Sequence, residues 1–237
     1  MNILLTNDDG YKSPGIWALA NRLKEKHNIY IVAPDGERSG ASHSASFFAA
    51  LSYVYHGNVD GVEVYSLSGT PADCVVFSVR YLLKDVKFDC VLSGINDVLN
   101  VGSDIMFSGT FGAAQEATYQ GIKGVAISLR SNHTGDFAYA AEFTEKNLEL
   151  FLKYADKEVT VNVNIPCAKK EDLKGVETCL HDWLSRDEIQ LLLNLPAKIT
   201  IIRHFLLLLQ QKLREWAASQ QKASYFAFDL HHPCGQI

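Results

Sequence analysis

The sequence has no pair of cysteines at Cys-x-x-Cys spacing and no two histidines four residues apart. Its five cysteines are odd in number and widely separated, so neither a disulfide framework nor a thiolate zinc site is expected, and a reducing cytoplasm is the natural setting. There is no excess of positive charge either. The formal net charge of −5 argues against a general binder of nucleic acid or of anionic membranes, though not against a local anion site built on a metal. No apolar run is long enough to span a bilayer: Ile199 to Leu209 is short and carries Arg203 and His204. The N-terminus lacks the basic, apolar and cleavage segments of a signal peptide, so no secretory leader is expected. What is present, 237 residues with 47% hydrophobic and 21% charged side chains, suits one large α/β domain or two small ones.

The chain is organised around its first ten residues. Asn2 to Thr6 is a short apolar and β-prone run, and it stops at Asn7-Asp8-Asp9-Gly10, four turn formers. Two carboxylates therefore stand just past the end of the first strand, the edge where open parallel sheets bind ligands. Adjacent residues of a strand point to opposite faces, so Asp8 and Asp9 share one site only if the chain turns there. Adjacent carboxylates also repel, and a cation between them relieves the repulsion. A solvated turn is the alternative reading.

Pro14 opens a helical pattern through Ile16, Leu19, Ala20 and Leu23, and Ile29 to Ala33 is a second buried strand, which makes a β-α-β unit. The polar segment Asp35 to Ser46 follows, with hydroxyls at Ser39, Ser42 and Ser44 and a permissive Gly40; it reads as a ligand loop or as a plain surface loop. Residues 47–66 look like strand and hairpin, with turns at His56-Gly57-Asn58 and Asp60-Gly61. Thr70, Pro71 and Asp73 suit a helix N-terminus. Phe88 to Leu92 is a strand followed by small polar residues from Ser93 to Asp97, then by Asn100. Ser108-Gly109-Thr110 leads into a helix of small residues, which reads as a phosphate cradle or as a tightly packed capped helix. Val125 to Leu129, Phe137 to Tyr154 and Val159 to Ile165 continue as strand, amphipathic helix and strand. The order predicts an α/β fold with a doubly wound, mostly parallel, Rossmann-like sheet and helices on both faces.

Three strand ends thus offer oxygen groups: Asp8 and Asp9, Ser39, and Asn96. An all-oxygen set selects a hard cation, Mg²⁺, Mn²⁺ or Ca²⁺, over zinc or copper. The adjacent His231-His232 reads as a surface pair, and His43 as a loop histidine with or without a substrate contact.

The stretches ILLTNDDG with Pro14-Gly15, VAPDGERSGASHS, SLSGTPADCV, FDCVLSGIN, NVGSDIMFSGTFGAAQEA with GIKGVAISL, and NVNIP resemble the SurE (survival protein E) nucleotidase family, in order, from residue 1 to about 176. The resemblance implies a metal-dependent phosphatase that hydrolyses nucleoside 5′- and 3′-monophosphates. It carries the metal ligands onto Asp8, Asp9, Ser39 and Asn96, one Mg²⁺ or Mn²⁺ per subunit, with Asp8 or Asp9 also acting in catalysis. Asn7, Gly40, Ser42, His43, Asn100, Ser108, Gly109 and Thr110 become the expected substrate and phosphate contacts. A homo-oligomer, dimer or tetramer, is implied too, with no nucleic-acid or membrane partner.

The chain departs from the family at several points. His43 stands where asparagine is usual, and Asp97 follows Asn96 where histidine is common. From about Glu177 the family's hairpin and final strand are not legible. Ile189 to Leu195 and Ala197 to Ala218 instead read as helices with an apolar stripe through Ile202, Phe205, Leu209, Leu213 and Trp216, a segment for self-association or for docking on the core. A change of reading frame would account for the departure. The alternative function is a metal- or nucleotide-binding protein of the same fold whose activity is lost with the altered C-terminus.

Overall fold

The structure, a computed structural model, describes residues 1–130, 137–166, 175–180 and 199–205. In chain order the strands and helices are β1 (Asn2–Thr6), α1 (Pro14–Leu23), β2 (Asn28–Pro34), β3 (Tyr53–Val59), β4 (Val62–Leu67), α2 (Pro71–Phe77), β5 (Cys90–Asn96), α3 (Gly109–Tyr119), β6 (Lys123–Leu129), α4 (Ala138–Tyr154), β7 (Val159–Ile165), β8 (Val176–Leu180) and β9 (Ile199–Phe205). One sheet takes them in the order β3-β4-β2-β1-β5-β6-β7-β9-β8. The pairs β2–β4, β1–β2, β1–β5, β5–β6, β6–β7 and β8–β9 are parallel, and the edge hairpin β3–β4 is antiparallel.

From β1 the chain winds outward to β2 and β4, then returns to the other side of β1 as β5, β6 and β7. The switch therefore falls between β1 and β5, and a doubly wound sheet opens its ligand crevice at the carboxyl ends of such a pair. Each strand's alternation sorts its side chains by face. Ile3, Leu5, Leu92, Ile127 and Val163 pack with Ile16 and Leu19 of α1 and Phe151 of α4, whereas Leu4 and Val91 pack with Cys74 of α2 and Ala113 of α3. All are buried, and each large aliphatic side chain so placed contributes roughly 1.5–3 kcal/mol.

The helix starts follow their sequence signals. Ser13 caps α1 ahead of Pro14. Thr70 and Asp73 form a reciprocal capping box on α2, a device worth about 1 kcal/mol. Asp60 and Gly61, both at positive φ, turn the β3–β4 hairpin as expected. His56-Gly57-Asn58 does not turn: it lies within β3, where the register slips between Tyr55 and Gly57. β5 runs on to Asn96 rather than ending at Leu92, because Ser93 to Ile95 are buried between neighbouring strands. Its register with β6 slips between Ser93 and Asn96, where Gly94 has φ +135° and the Gly94–Ile95 peptide is cis.

The chain divides into two units, Met1–His204 and Phe205–Ile237. The helix expected from Ala197 is not found over Ile199–Phe205, which is a strand parallel to β8. The β-branched run Ile199-Thr200-Ile201-Ile202 favours the extended chain, and pairing with β8 satisfies its backbone. The remainder of the expected stripe, Leu209, Leu213 and Trp216, lies outside the described residues, as do Ile189 to Leu195 and His231-His232. Among the described residues no helix is long and apolar enough to cross a membrane.

Candidate active site

The turn after β1 is held by Asn7. Its side-chain oxygen accepts the Gly10 N–H at 3.1 Å, and its Nδ2 donates to the Gly10 carbonyl at 3.0 Å and to Ser13 Oγ at 2.7 Å. Asn7 is fully buried and holds the turn to the start of α1.

Asp8 follows, only 4% exposed. Thr110 Oγ1 donates to its Oδ1 at 2.5 Å, and the backbone N–H groups of Asp8, Thr110 and Gly109 also favour the charged form. Burial works against them and raises the Asp8 pKa above the ordinary carboxylate value. The helix N-terminus read in the sequence as a phosphate cradle is thus occupied by a carboxylate of the protein itself, which suits the same N–H groups and the same dipole end. Gly109 permits the approach: a Cβ there would stand 2.9 Å from Asp8 Cβ. Ser108 caps α3 by accepting the Phe111 N–H at 3.0 Å. Thr110 and Gly109 thus lie at the site against Asp8, with Ser108 capping the same helix.

Asp9 is half-buried. Its pKa is pushed up to about 7, first by burial and then by the negative charges of Asp8, Glu37 and Asp97. Among the described residues no ion pair reaches either Asp8 or Asp9. The site is short of positive charge, and a divalent cation fits that deficit.

Two further oxygen donors border the pair. The Arg38 N–H donates to the Asp8 carbonyl at 2.6 Å, which brings the loop carrying the exposed Ser39 against the Asp8 turn. At the end of β5, Asn96 donates its Nδ2 to the Val98 carbonyl at 2.6 Å, leaving its Oδ1 as the oxygen able to serve a cation. Carboxylates, a hydroxyl and an amide carbonyl are hard donors suited to Mg²⁺ or Mn²⁺.

The other expected contacts differ in their surroundings. Gly40 is exposed at φ +75°. Ser42 donates its hydroxyl to the Met106 carbonyl at 2.6 Å, and His43 turns to Glu116 of α3 at 2.7 Å. Asn100 is a buried hub. Its carbonyl accepts from Asn162 and Asn164, its N–H donates to Asn164 Oδ1, and its Nδ2 donates to Ser128 Oγ. It fixes the segment after β5 to β6 and β7. Arg38, Glu37 and Glu116 were not legible as site residues. Their effects pass through a backbone N–H, a field and a loop contact, and the motifs GERSG and AAQEA were the only signals for them.

The sequence model of the family described as Survival protein SurE matches residues 3–186. The chain belongs to the SurE family. Its match extends past residue 176, where the motifs ceased to be legible by eye. Relatives named 5′-nucleotidase SurE include one from Clostridium botulinum (strain Alaska E43 / Type E3), 41% identical over 185 residues covering 76% of this chain and 72% of the relative, and one from Clostridium beijerinckii, 38% identical over the same shares. The crystal structure of the SurE protein from Aquifex aeolicus superposes with a TM-score of 0.81 at 28% identity, covering 93% of this chain and 100% of that one.

Proposed function

We propose that this SurE protein is a divalent-cation-dependent phosphatase that hydrolyses nucleoside 5′- and 3′-monophosphates to nucleoside and phosphate. The observation that carries the reading is the Asp8–Asp9 pair at the β1/β5 switch, uncompensated by any ion pair among the described residues, with Asp9 driven up to about 7. Asp8, Asp9, the Ser39 hydroxyl and the Asn96 carbonyl would hold Mg²⁺ or Mn²⁺. Such a cation, when bound, supplies Lewis acidity to a phosphate oxygen and acidity to a water. Thr110 and the first N–H groups of α3 hold Asp8 in place and favour its charged form against the effect of burial. Asp9, which lacks that cradle, is the carboxylate able to orient the attacking water or take its proton. Neither described free cysteine suits a nucleophile's role: Cys74 and Cys90 are buried, and burial pushes the Cys90 thiol up to about 12.

The names of the relatives support the 5′-nucleotide part of the reading, and the homo-oligomeric state belongs to it as an expectation for light scattering. The test is phosphate release from a panel of nucleoside 5′- and 3′-monophosphates by the purified chain, with and without Mn²⁺ or Mg²⁺. Cation-dependent release supports the reading. Tight cation binding without release from any nucleotide favours a binding protein of the same fold.

A further inference from the structure

We propose that His43 and Glu116 act as a pair of positioning residues that fasten the Ser39 loop to α3 and so set the protein's affinity for its cation. The proposal rests on Ser39 being a ligand.

The segment Asp35 to Ser46 leaves the end of β2 and is attached at separate points. The Arg38 N–H donates to the Asp8 carbonyl at 2.6 Å, upstream of Ser39. Beyond Gly40, the Ser42 N–H donates to the Phe107 carbonyl at 3.0 Å and its hydroxyl to the Met106 carbonyl. His43 Nε2 lies 2.7 Å from Glu116 Oε2, and with a carboxylate as partner that nitrogen carries the proton. The imidazole also stacks on Tyr119, with ring centroids 5.4 Å apart and planes 17° from parallel. Glu116 is itself held, since Gln120 Nε2 donates to its other oxygen at 2.5 Å. Farther on, Thr70 Oγ1 donates to the Ser44 carbonyl, and Ser46 caps back onto Asp73.

Ser39 and Gly40 are exposed between these fixed points, with the Arg38 tie on one side and the Ser42–His43 ties on the other. The α3 backbone is pressed against the same segment: a Cβ on Gly112 would stand 2.6 Å from the Ser42 carbonyl oxygen and 2.9 Å from His43 Cα. α3 therefore does two things at once. Its first turn holds Asp8, and its Glu116, about one and a half turns farther on, holds the loop that carries Ser39. Both ligand carriers are referenced to one rigid helix. His43 is in this way a residue of the loop's anchor rather than a contact of the phosphate.

The test measures Mn²⁺ affinity by titration calorimetry on the full chain, independently of turnover. His43→Ala and Glu116→Gln should each weaken Mn²⁺ binding about tenfold, as loss of a residue that orients a ligand does. His43→Gln, which keeps a donor for Glu116, should recover most of the loss. In a Ser39→Ala background, His43→Ala should cost nothing further, because its effect is transmitted through Ser39. Affinity unchanged in both His43→Ala and Glu116→Gln, while Ser39→Ala weakens it, would overturn the proposal and leave the cation reading standing. So would losses that multiply in the double variant, or a raised KM for a nucleoside monophosphate at unaltered Mn²⁺ affinity, which would make His43 a substrate contact. If Ser39→Ala leaves affinity unchanged, the positioning proposal fails with its ligand, and Asp9→Asn then judges the cation reading separately.

Discussion

The two halves of the site are built differently. On the β1 side, Thr6, Asn7, Asp8 and Thr110 are almost wholly buried, and the carboxylate of Asp8 is one node in the packing of strand, turn and helix. On the loop side, Ser39 and Gly40 are exposed and depend on a few discrete hydrogen bonds, and a short distance on Phe47 is 84% exposed. The Asp8 carboxylate is placed by a buried part of the molecule. The proposed ligand Ser39 is carried by a segment tied at separate points.

That contrast is open to attack, beginning with the largest effect. Asp8→Asn or Asp9→Asn keeps side-chain shape while removing one charge, so turnover should fall by at least about a hundredfold, at little cost in folding for the half-buried Asp9 but with a loss of stability for Asp8, whose carboxylate accepts from Thr110 and the α3 N–H groups. For Asp9→Asn the cation-free protein should melt no lower than wild type at neutral pH. A sharp loss of melting temperature with turnover intact would reassign the pair to structure. Thr110→Val should be felt in both ways. It removes the hydroxyl that holds Asp8, which costs about 1–3 kcal/mol, or a few degrees of melting temperature, and it should weaken Mn²⁺ binding as well. Ser39→Ala, on the loop side, should weaken Mn²⁺ binding while leaving stability within about 0.5 kcal/mol of wild type. If thermal melts show Ser39→Ala to be as damaging as Thr110→Val, the two halves are not distinct.

A separate effect is in the pH dependence of the cation-free protein. Asp9 is held at about 7 in the folded chain against an ordinary 3.8. Between those values the folded state keeps a proton that the unfolded state has lost, so this group's contribution to stability is complete below about 4 and declines as pH rises to about 7. Differential scanning across pH 4–8 should show that decline in wild type, and a shallower one in Asp9→Asn. Equal slopes in the two proteins would mean that Asp9 is not perturbed.

Much of this architecture was legible in the sequence because β1, β2, β5 and β6 carry apolar runs that give way to Asn, Pro, Ser or Gly, and β7 alternates up to Pro166. The ends of those runs mark the ligand edge of the sheet. Capping followed from chemistry local to Ser13, Thr70 and Ser108. What was not legible was how side chains divide their hydrogen bonds. The resemblance implies substrate contacts for Asn7, Asn100 and Thr110, but it carries nothing about their partners within the protein. In the fold their partners are Gly10 and Ser13, Asn164 and Ser128, and Asp8, most of them far away in sequence. The strand Ile199–Phe205 was misread because a short apolar run fits a helical stripe as well as a strand; β-branching and a pairing partner decide it, and the partner is not adjacent in sequence.

The central claim is that hydrolysis at the Asp8–Asp9 pair requires a divalent cation. The most direct measurement is phosphate release from adenosine 5′-monophosphate by wild type and Asp9→Asn, each stripped with chelator and then resupplied with Mn²⁺. The account predicts no release by the stripped wild type, recovery on adding Mn²⁺, and no comparable recovery in Asp9→Asn. Release at an undiminished rate by the stripped protein, or by Asp9→Asn, would contradict it.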